Sequence, residues 1–295
     1  MAQLFLKYGY APDKDAIDKN LQMISSRLEE VATPEVLKSC FSMMDLTTLR
    51  TNDTAEGVEK LVRKVNAYRK DYPDYPLPAS VCVYPNFAKV VSTVRDTPEL
   101  HATCVSACFP SSQSFLPVKL LECELAVKDG ADEIDIVLPL STFLAGDYDA
   151  VRAELRAIRE TVDKAGAGRK ITLKVILETG LLVSPELIAD ASFLAMEEGA
   201  DFIKTSTGKV EVNATPMAAY VMCECIKAFF EKTGKKVGFK PAGGVSTARE
   251  AVCYYTIVNS ILGRDWLNKD LFRFGVSRLA NNLLSAIEKK TVSIF

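Results

Sequence analysis

Two hydrophobic periods alternate along this chain. Short apolar runs occupy residues 41–46, 80–84, 102–108, 133–138, 171–178, 201–205, 237–240 and 260–262, and each predicts a strand. Longer stretches between them place apolar residues at helical spacing. Thr215-Pro216 opens one that ends near Gly234, and Ser184-Pro185-Glu186 opens another that ends at Gly199. Upstream, Ile17, Leu21, Ile24, Leu28 and Val31 predict a helix over about residues 15–31. Thr33-Pro34-Glu35 then reads as an N-cap, a first-turn proline and a first-turn acid.

Eight strands alternating with helices predict a parallel sheet, and eight is the number that closes a (β/α)8 TIM barrel. The alternative is a doubly wound open sheet, but no G-x-G-x-x-G follows its first strand. The expected architecture is therefore an α/β barrel over residues 39–295. Residues 1–38 form a helical extension packing on it.

Composition fits this reading. The chain has 295 residues, and an α/β barrel needs about 250. An apolar fraction of 48% supplies a core. A net charge of −2 offers no footprint for nucleic acid or a membrane surface. The Leu4-Phe5-Leu6 run is too short for a signal segment, and no run is long enough to span a bilayer. The eight cysteines contain no C-x-x-C pair and read as reduced, mostly buried thiols. A cytoplasmic location is expected.

One histidine, His101, is present. Sites built on two or three histidines are thereby excluded, including most zinc hydrolases and metal-dependent aldolases. Acid–base chemistry falls to carboxylates and lysines. His101 opens the third strand, where a structural role is expected.

Strands covered on both faces should be almost wholly apolar. Here Asp135, Lys174, Lys204 and Lys240 interrupt four of them. A charge buried alone costs several kcal/mol, so barrel closure must aim these groups at one another. A neutral lysine amine in such a cluster can attack a carbonyl and form a Schiff base, an electron sink for carbon–carbon cleavage. Only about one lysine in 2,500 is neutral at pH 7. A second ammonium about 5 Å away contributes roughly 3 kcal/mol, or about 2.4 pKa units. Lys204 and Lys240, on neighbouring strands, form such a pair, with Lys240 expected to supply most of the activation. Asp135 is suited to move protons. For Lys209 an ordinary salt bridge is the competing reading.

A second constellation suits an anion. Gly243-Gly244-Val245 follows the seventh strand and leads through Ser246-Thr247 into a helix. Gly275-Val276-Ser277-Arg278 is expected to follow the eighth and opens another. Barrel enzymes often hold phosphate with these two loops, using backbone N–H groups and a helix N-terminus.

These segments resemble the deoxyribose-phosphate aldolase family. The likeness is carried by Asp201-Phe202-Ile203-Lys204-Thr205-Ser206-Thr207-Gly208-Lys209 and Gly238-Phe239-Lys240-Pro241-Ala242-Gly243-Gly244-Val245. Asp132-Glu133-Ile134-Asp135 and Met44-Asp45-Leu46-Thr47 extend it, and it covers about residues 41–290. It implies a class I aldolase that reversibly cleaves 2-deoxy-D-ribose 5-phosphate to D-glyceraldehyde 3-phosphate and acetaldehyde, within deoxyribonucleotide and carbohydrate catabolism. By this resemblance Lys204 is the Schiff-base lysine, Lys240 its activating cation and Asp135 the general acid/base. Lys209, Lys174, Asp45 and Thr207 would contact the substrate or shape its field. Gly208, Gly243, Gly244, Gly275, Ser277 and Arg278 would hold phosphate. No metal or organic cofactor is implied. The partners implied are a phosphorylated sugar and aldehydes, with room for a homodimer or tetramer.

The chain departs from the bacterial pattern at three places. Ser246 stands where arginine is frequent, Ser277-Arg278 replaces a Ser-Ser pair, and the chain ends in Phe295 where some members carry tyrosine. The N-terminal helix is also additional, either covering the barrel bottom or making an oligomer contact. The competing enzyme reading is another Schiff-base sugar-phosphate aldolase or a transaldolase-like barrel. A barrel with an added scaffold or binding role belongs to a different class. Cys82, at the end of the second strand, is expected to pack, with reaction toward unsaturated aldehydes as the alternative.

Overall fold

The computed structural model describes residues 3–295. Eight parallel strands form its centre: β1 (Met44–Thr47), β2 (Ser80–Val83), β3 (His101–Val105), β4 (Glu133–Val137), β5 (Thr172–Ile176), β6 (Phe202–Lys204), β7 (Gly238–Lys240) and β8 (Phe274–Val276). Strands β1 to β7 pair in sequence order, β8 pairs with β1, and isolated bridges join the β7 and β8 segments. The ring returns on itself where Arg273 and Gly275 donate backbone hydrogen bonds to the carbonyls of Phe239 and Pro241. The open-sheet alternative is thereby excluded.

Among the described residues four helices precede β1: α1 (Leu4–Lys7), α2 (Lys14–Ser26), α3 (Leu28–Val31) and α4 (Pro34–Ser42). The crossover segments carry α5 (Ala55–Asp71), α6 (Ala88–Val94), α7 (Leu116–Lys128), α8 (Leu140–Leu144), α9 (Tyr148–Gly166), α10 (Thr179–Leu182), α11 (Pro185–Glu197), α12 (Pro216–Thr233) and α13 (Ala248–Leu262). Helix α14 (Leu279–Glu288) follows β8. Hydroxyl or carboxylate caps begin many of them. Thr33, Thr54, Asp147, Ser184, Thr215 and Thr247 each accept an N–H that the first turn would otherwise leave unpaired.

The period of two within each strand divides the barrel into two environments. Ile134, Ile136, Leu173, Val175 and Ile203 join the apolar core shared with the helices. The alternate residues Glu133, Asp135, Lys174 and Lys204 are buried too, but belong to a polar network.

Several boundaries differ from the sequence expectation; β3, for one, ends at Val105 and does not run to Cys108. Residues 260–262 are the last turn of α13, and the eighth strand lies further on at Phe274–Val276. Val252, Ile257 and Val258 are buried along α13, so the run at 260–262 extends a helix. The true β8 is only three residues long, and Arg273 and Gly275 break its apolar signal. Gly275 and Val276 therefore lie in the strand, not after it. Phe41 belongs to α4, and β1 starts at Met44. The helix expected near 15–31 breaks at Arg27, where Ser26 Oγ turns back to the Met23 carbonyl. Helix α2 packs against α12 and α13, and α3 packs against α13.

Candidate active site

Register brings the charged strand residues together. Asp135 on β4 faces Lys174 on β5, and Lys204 on β6 faces Lys240 on β7. Lys204 Nζ and Lys240 Nζ donate to the same oxygen, Asp135 Oδ2, at 2.8 and 2.7 Å. Lys174 Nζ reaches the other oxygen, Oδ1, at 2.9 Å and Glu133 Oε2 at 2.5 Å. Lys240 also donates to Asp45 Oδ2.

A further layer lies behind. Arg273 donates to Asp45 Oδ1 at 2.5 Å and to Glu133 Oε1 at 2.7 Å. Ser80 and Thr103 hydroxyls complete the partners of Asp45 and Glu133. His101 Nδ1 lies 2.7 Å from Glu133 Oε1, which gives the lone histidine the structural partner expected of it.

Charge decides which lysine is the most easily deprotonated. Asp45, Glu133 and Asp135 oppose four cations: Lys174, Lys204, Lys240 and Arg273. One positive charge is in excess. Burial works against the ammonium of Lys240, but Asp135 and Asp45 outweigh it and hold its pKa well above the usual lysine range. Lys174 is raised in the same way, with Asp135 and Glu133 overcoming burial. Lys204 goes the other way. Burial lowers its pKa most, Lys240 adds to the lowering, and Asp135 only partly opposes them.

This corrects the expectation that the neighbouring ammonium does most of the work. Lys240 shares the Asp135 carboxylate with Lys204, so much of its field is neutralised locally. Asp135 itself is disfavoured as an anion by burial, yet its three ammonium neighbours hold it far below the usual carboxylate range.

Above Lys204 opens a cavity of 940 Å3. Lys204 is 4% exposed and lines it, together with Thr207, Gly208, Lys209, Gly243, Gly244, Gly275, Ser277 and Arg278. Asp45, Asp135, Lys174 and Lys240 do not line it, being wholly buried beneath. Lys209 makes no salt bridge among the described residues, and its Nζ donates to the Leu49 carbonyl at 2.6 Å. The ordinary salt bridge is thus absent.

The loops expected to receive an anion differ in part from the expectation. Glu250 closes a capping box on α13, and its Oε2 accepts the N–H groups of Ser246 and Thr247, each at 2.8 Å. That helix terminus is already occupied by a carboxylate. By contrast, α14 starts without a side-chain cap. The amides of Gly208, Gly243, Gly244, Val245, Ser277 and Arg278 have no intramolecular acceptor among the described residues. Gly243 has φ +78°, and a Cβ there would stand 2.6 Å from Asn213 Oδ1.

Sequence reasoning missed several residues. Arg50 and Asp53 from the β1–α5 loop and Asn281 and Asn282 from α14 also line the cavity, as does Phe295, already noted for standing where some members carry tyrosine. Phe295 is tied to Asn281 through backbone and side chain and packs near Phe41 and Tyr68. Glu133 and Arg273 carried a usable signal, since each places a charge in or beside a strand. Glu178, 2% exposed at the end of β5, holds Thr207 from below. Burial pushes its carboxyl pKa up, while the hydrogen bonds from Thr207 pull back. Cys82 is wholly buried, and burial raises its thiol pKa, so it packs as expected.

A closed parallel barrel with a buried lysine–carboxylate cluster under an open cavity defines a barrel enzyme of lysine type. Residues 40–266 match the family model described as DeoC/LacD family aldolase. The human deoxyribose-phosphate aldolase is 40% identical over 266 residues, covering 86% of this chain and 80% of that protein. The Bos taurus deoxyribose-phosphate aldolase is 38% identical over 293 residues, covering 94% and 88%. A solved tetrameric deoxyribose phosphate aldolase from Aeropyrum pernix superposes with a TM-score of 0.67 at 26% identity, covering 93% of this chain and 98% of that one. The chain belongs to the DeoC/LacD family of aldolases.

Proposed function

We propose that this aldolase reversibly cleaves 2-deoxy-D-ribose 5-phosphate to D-glyceraldehyde 3-phosphate and acetaldehyde through a Schiff base on Lys204. The observation that carries this reading is the position of Lys204 against the cavity, with which the directions of the lysine pKa shifts agree. Lys204, the only one of the cluster's three lysines to line the cavity, is also the only one whose pKa is lowered.

In this reading the neutral Lys204 amine attacks the C1 carbonyl, and loss of water from the carbinolamine leaves an iminium ion. Asp135 and Lys240, joined at Oδ2, relay protons to and from these steps. Removal of the C3 hydroxyl proton then breaks the C2–C3 bond. Its electrons enter the iminium as an enamine, and C3 leaves as the aldehyde of D-glyceraldehyde 3-phosphate. Protonation at C2 and hydrolysis release acetaldehyde and restore Lys204. Lys174 and Asp45 act through the field they set up from below, since both are fully buried. Lys209 and Thr207 serve the substrate from the rim. The free amides of Gly208, Gly243, Gly244 and Ser277, with Arg278, receive the phosphate, and Gly275 keeps β8 close enough for that approach.

Residues 1–38 are read as an extension on the barrel of residues 39–295, and the tetrameric Aeropyrum pernix aldolase favours a homo-oligomer. Free, largely buried cysteines suit a reducing cytoplasm. The deciding experiment is borohydride reduction in the presence of acetaldehyde, followed by peptide mapping. A two-carbon adduct on Lys204 that is lost in Lys204→Met is expected. No adduct on any lysine overturns the mechanism.

A further inference from the structure

Thr207 is held in one hydrogen-bonding sense. Its hydroxyl donates to Glu178 Oε2 at 2.5 Å, and its backbone N–H donates to Glu178 Oε1 at 3.1 Å. The same hydroxyl oxygen accepts the Lys209 N–H at 3.0 Å. A threonine hydroxyl has one hydrogen and two lone pairs. The hydrogen and one lone pair are committed, and one lone pair is left for the cavity that Thr207 lines.

Glu178 is built into the fold for this contact. It takes a left-handed backbone conformation, φ 54°, uncommon for a residue with a side chain, just after β5. The next residue, Thr179, donates its N–H to the Thr205 carbonyl at 2.9 Å. Gly180 then lies so close to the Val212 carbonyl that a Cβ would meet it at 1.9 Å. Three successive residues therefore grip the segment between β6 and α12. Burial raises the Glu178 pKa, but the two Thr207 hydrogen bonds favour its carboxylate form, which has no hydrogen to offer and keeps the hydroxyl donating inward.

We infer that Glu178 is a positioning residue that makes Thr207 a hydrogen-bond acceptor for a substrate hydroxyl, so Thr207 cannot act as a donor to phosphate. This deepens, and rests on, the proposed cleavage of a phosphorylated deoxy sugar. Along the chain Thr207 stands between Lys204 and Gly208 of the proposed anion wall. The hydroxyl that fits is the one between the reacting carbonyl end and the phosphate. In the aldehyde acceptor of the reverse reaction this is the C2 hydroxyl of glyceraldehyde 3-phosphate.

The test compares glyceraldehyde 3-phosphate with 3-oxopropyl phosphate, which lacks that hydroxyl, as acceptors for acetaldehyde. The wild-type protein should favour the hydroxylated acceptor in kcat/KM by about tenfold or more, because the analogue leaves the Thr207 lone pair unpaired. Thr207→Val removes the acceptor, and Glu178→Gln supplies an N–H that turns the hydroxyl outward as a donor. Both variants should lower the preference to within about threefold, and Thr207→Ser should keep it. Borohydride trapping of acetaldehyde on Lys204 is run on every variant. Trapping intact with an unchanged preference in Glu178→Gln or Thr207→Val overturns the role of Glu178 and leaves the aldolase reading standing. Absence of trapping in the wild-type protein brings down both.

Discussion

Lys204 and Lys240 are register partners on adjacent strands, and their ammonium groups share one oxygen of Asp135. The sharing is unequal. Lys240 has a second anion, Asp45, on its far side, whereas Lys204 has the cavity. The same carboxylate thus anchors one lysine as a cation and leaves the other as the group that can lose its proton.

Opposite pH shifts should follow from changing the two partners. Lys240→Met removes a positive neighbour and frees Asp135 for Lys204, so the Lys204 pKa rises. The acidic limb of kcat/KM should move to higher pH, with a loss of about 10–100-fold at neutral pH. Asp135→Asn removes the anion that opposes the lowering. Its acidic limb should move to lower pH while kcat falls by about 10²–10⁴-fold. Stopped assays from pH 5 to pH 9 check both, and limbs that move the same way contradict the model.

Acid should weaken the fold through the same cluster. Asp45, Glu133 and Asp135 all have pKa values lowered in the folded state, as their cationic partners outweigh burial. A lowered folded pKa contributes stability that is present above the unfolded value, near 4, and lost as pH falls through the folded value. Urea unfolding should show stability declining below about pH 4, by up to about 1.4 kcal/mol per pH unit for each carboxylate. Glu133→Gln should reduce that slope by up to one proton. A flat profile between pH 4.5 and pH 3 would contradict it.

The two glycines of the β7–α13 loop should respond differently to alanine. Both have positive φ, +78° at Gly243 and +82° at Gly244, so each substitution strains the backbone by about 1–3 kcal/mol. Only at Gly243 does the added Cβ strike another residue, Asn213, while Gly244 has nothing within 4 Å. Gly243→Ala should therefore raise KM for the phosphorylated sugar well beyond Gly244→Ala. Initial-rate kinetics on both variants, with unfolding midpoints as control, test this.

Arg278 flanks the uncapped start of α14 and lines the cavity. Arg278→Ala should raise KM for 2-deoxyribose 5-phosphate about tenfold or more and leave the unphosphorylated sugar nearly unaffected. An unchanged KM for the phosphorylated sugar assigns the anion to the backbone amides alone.

Much of this protein was legible along the chain. The alternation of short apolar runs with amphipathic stretches determined seven of the eight strands, to within a few residues at their ends. Asp135, Lys174, Lys204 and Lys240 announced themselves because a charge inside a buried strand is costly and needs a partner. The Gly243-Gly244 pair marked part of the proposed anion wall. These signals are local, resting on period, cost of burial and turn chemistry.

The remainder depended on closure. Strand β8 is three residues long and carries its own charged neighbour, so no periodic signal reached it. Glu178 and Thr207 lie on separate strand-to-helix connections, and only the barrel sets one beneath the other. Likewise, the family resemblance singled out Lys204, but the near-equal number of acidic and basic residues did not say why its pKa should fall. That follows from depth. Lys240 lies between two carboxylates and Lys174 among three, whereas Lys204 is buried against one and faces the cavity. Its lowered pKa is therefore a property of the closed barrel, because desolvation and shared partners exist only once the strands have met.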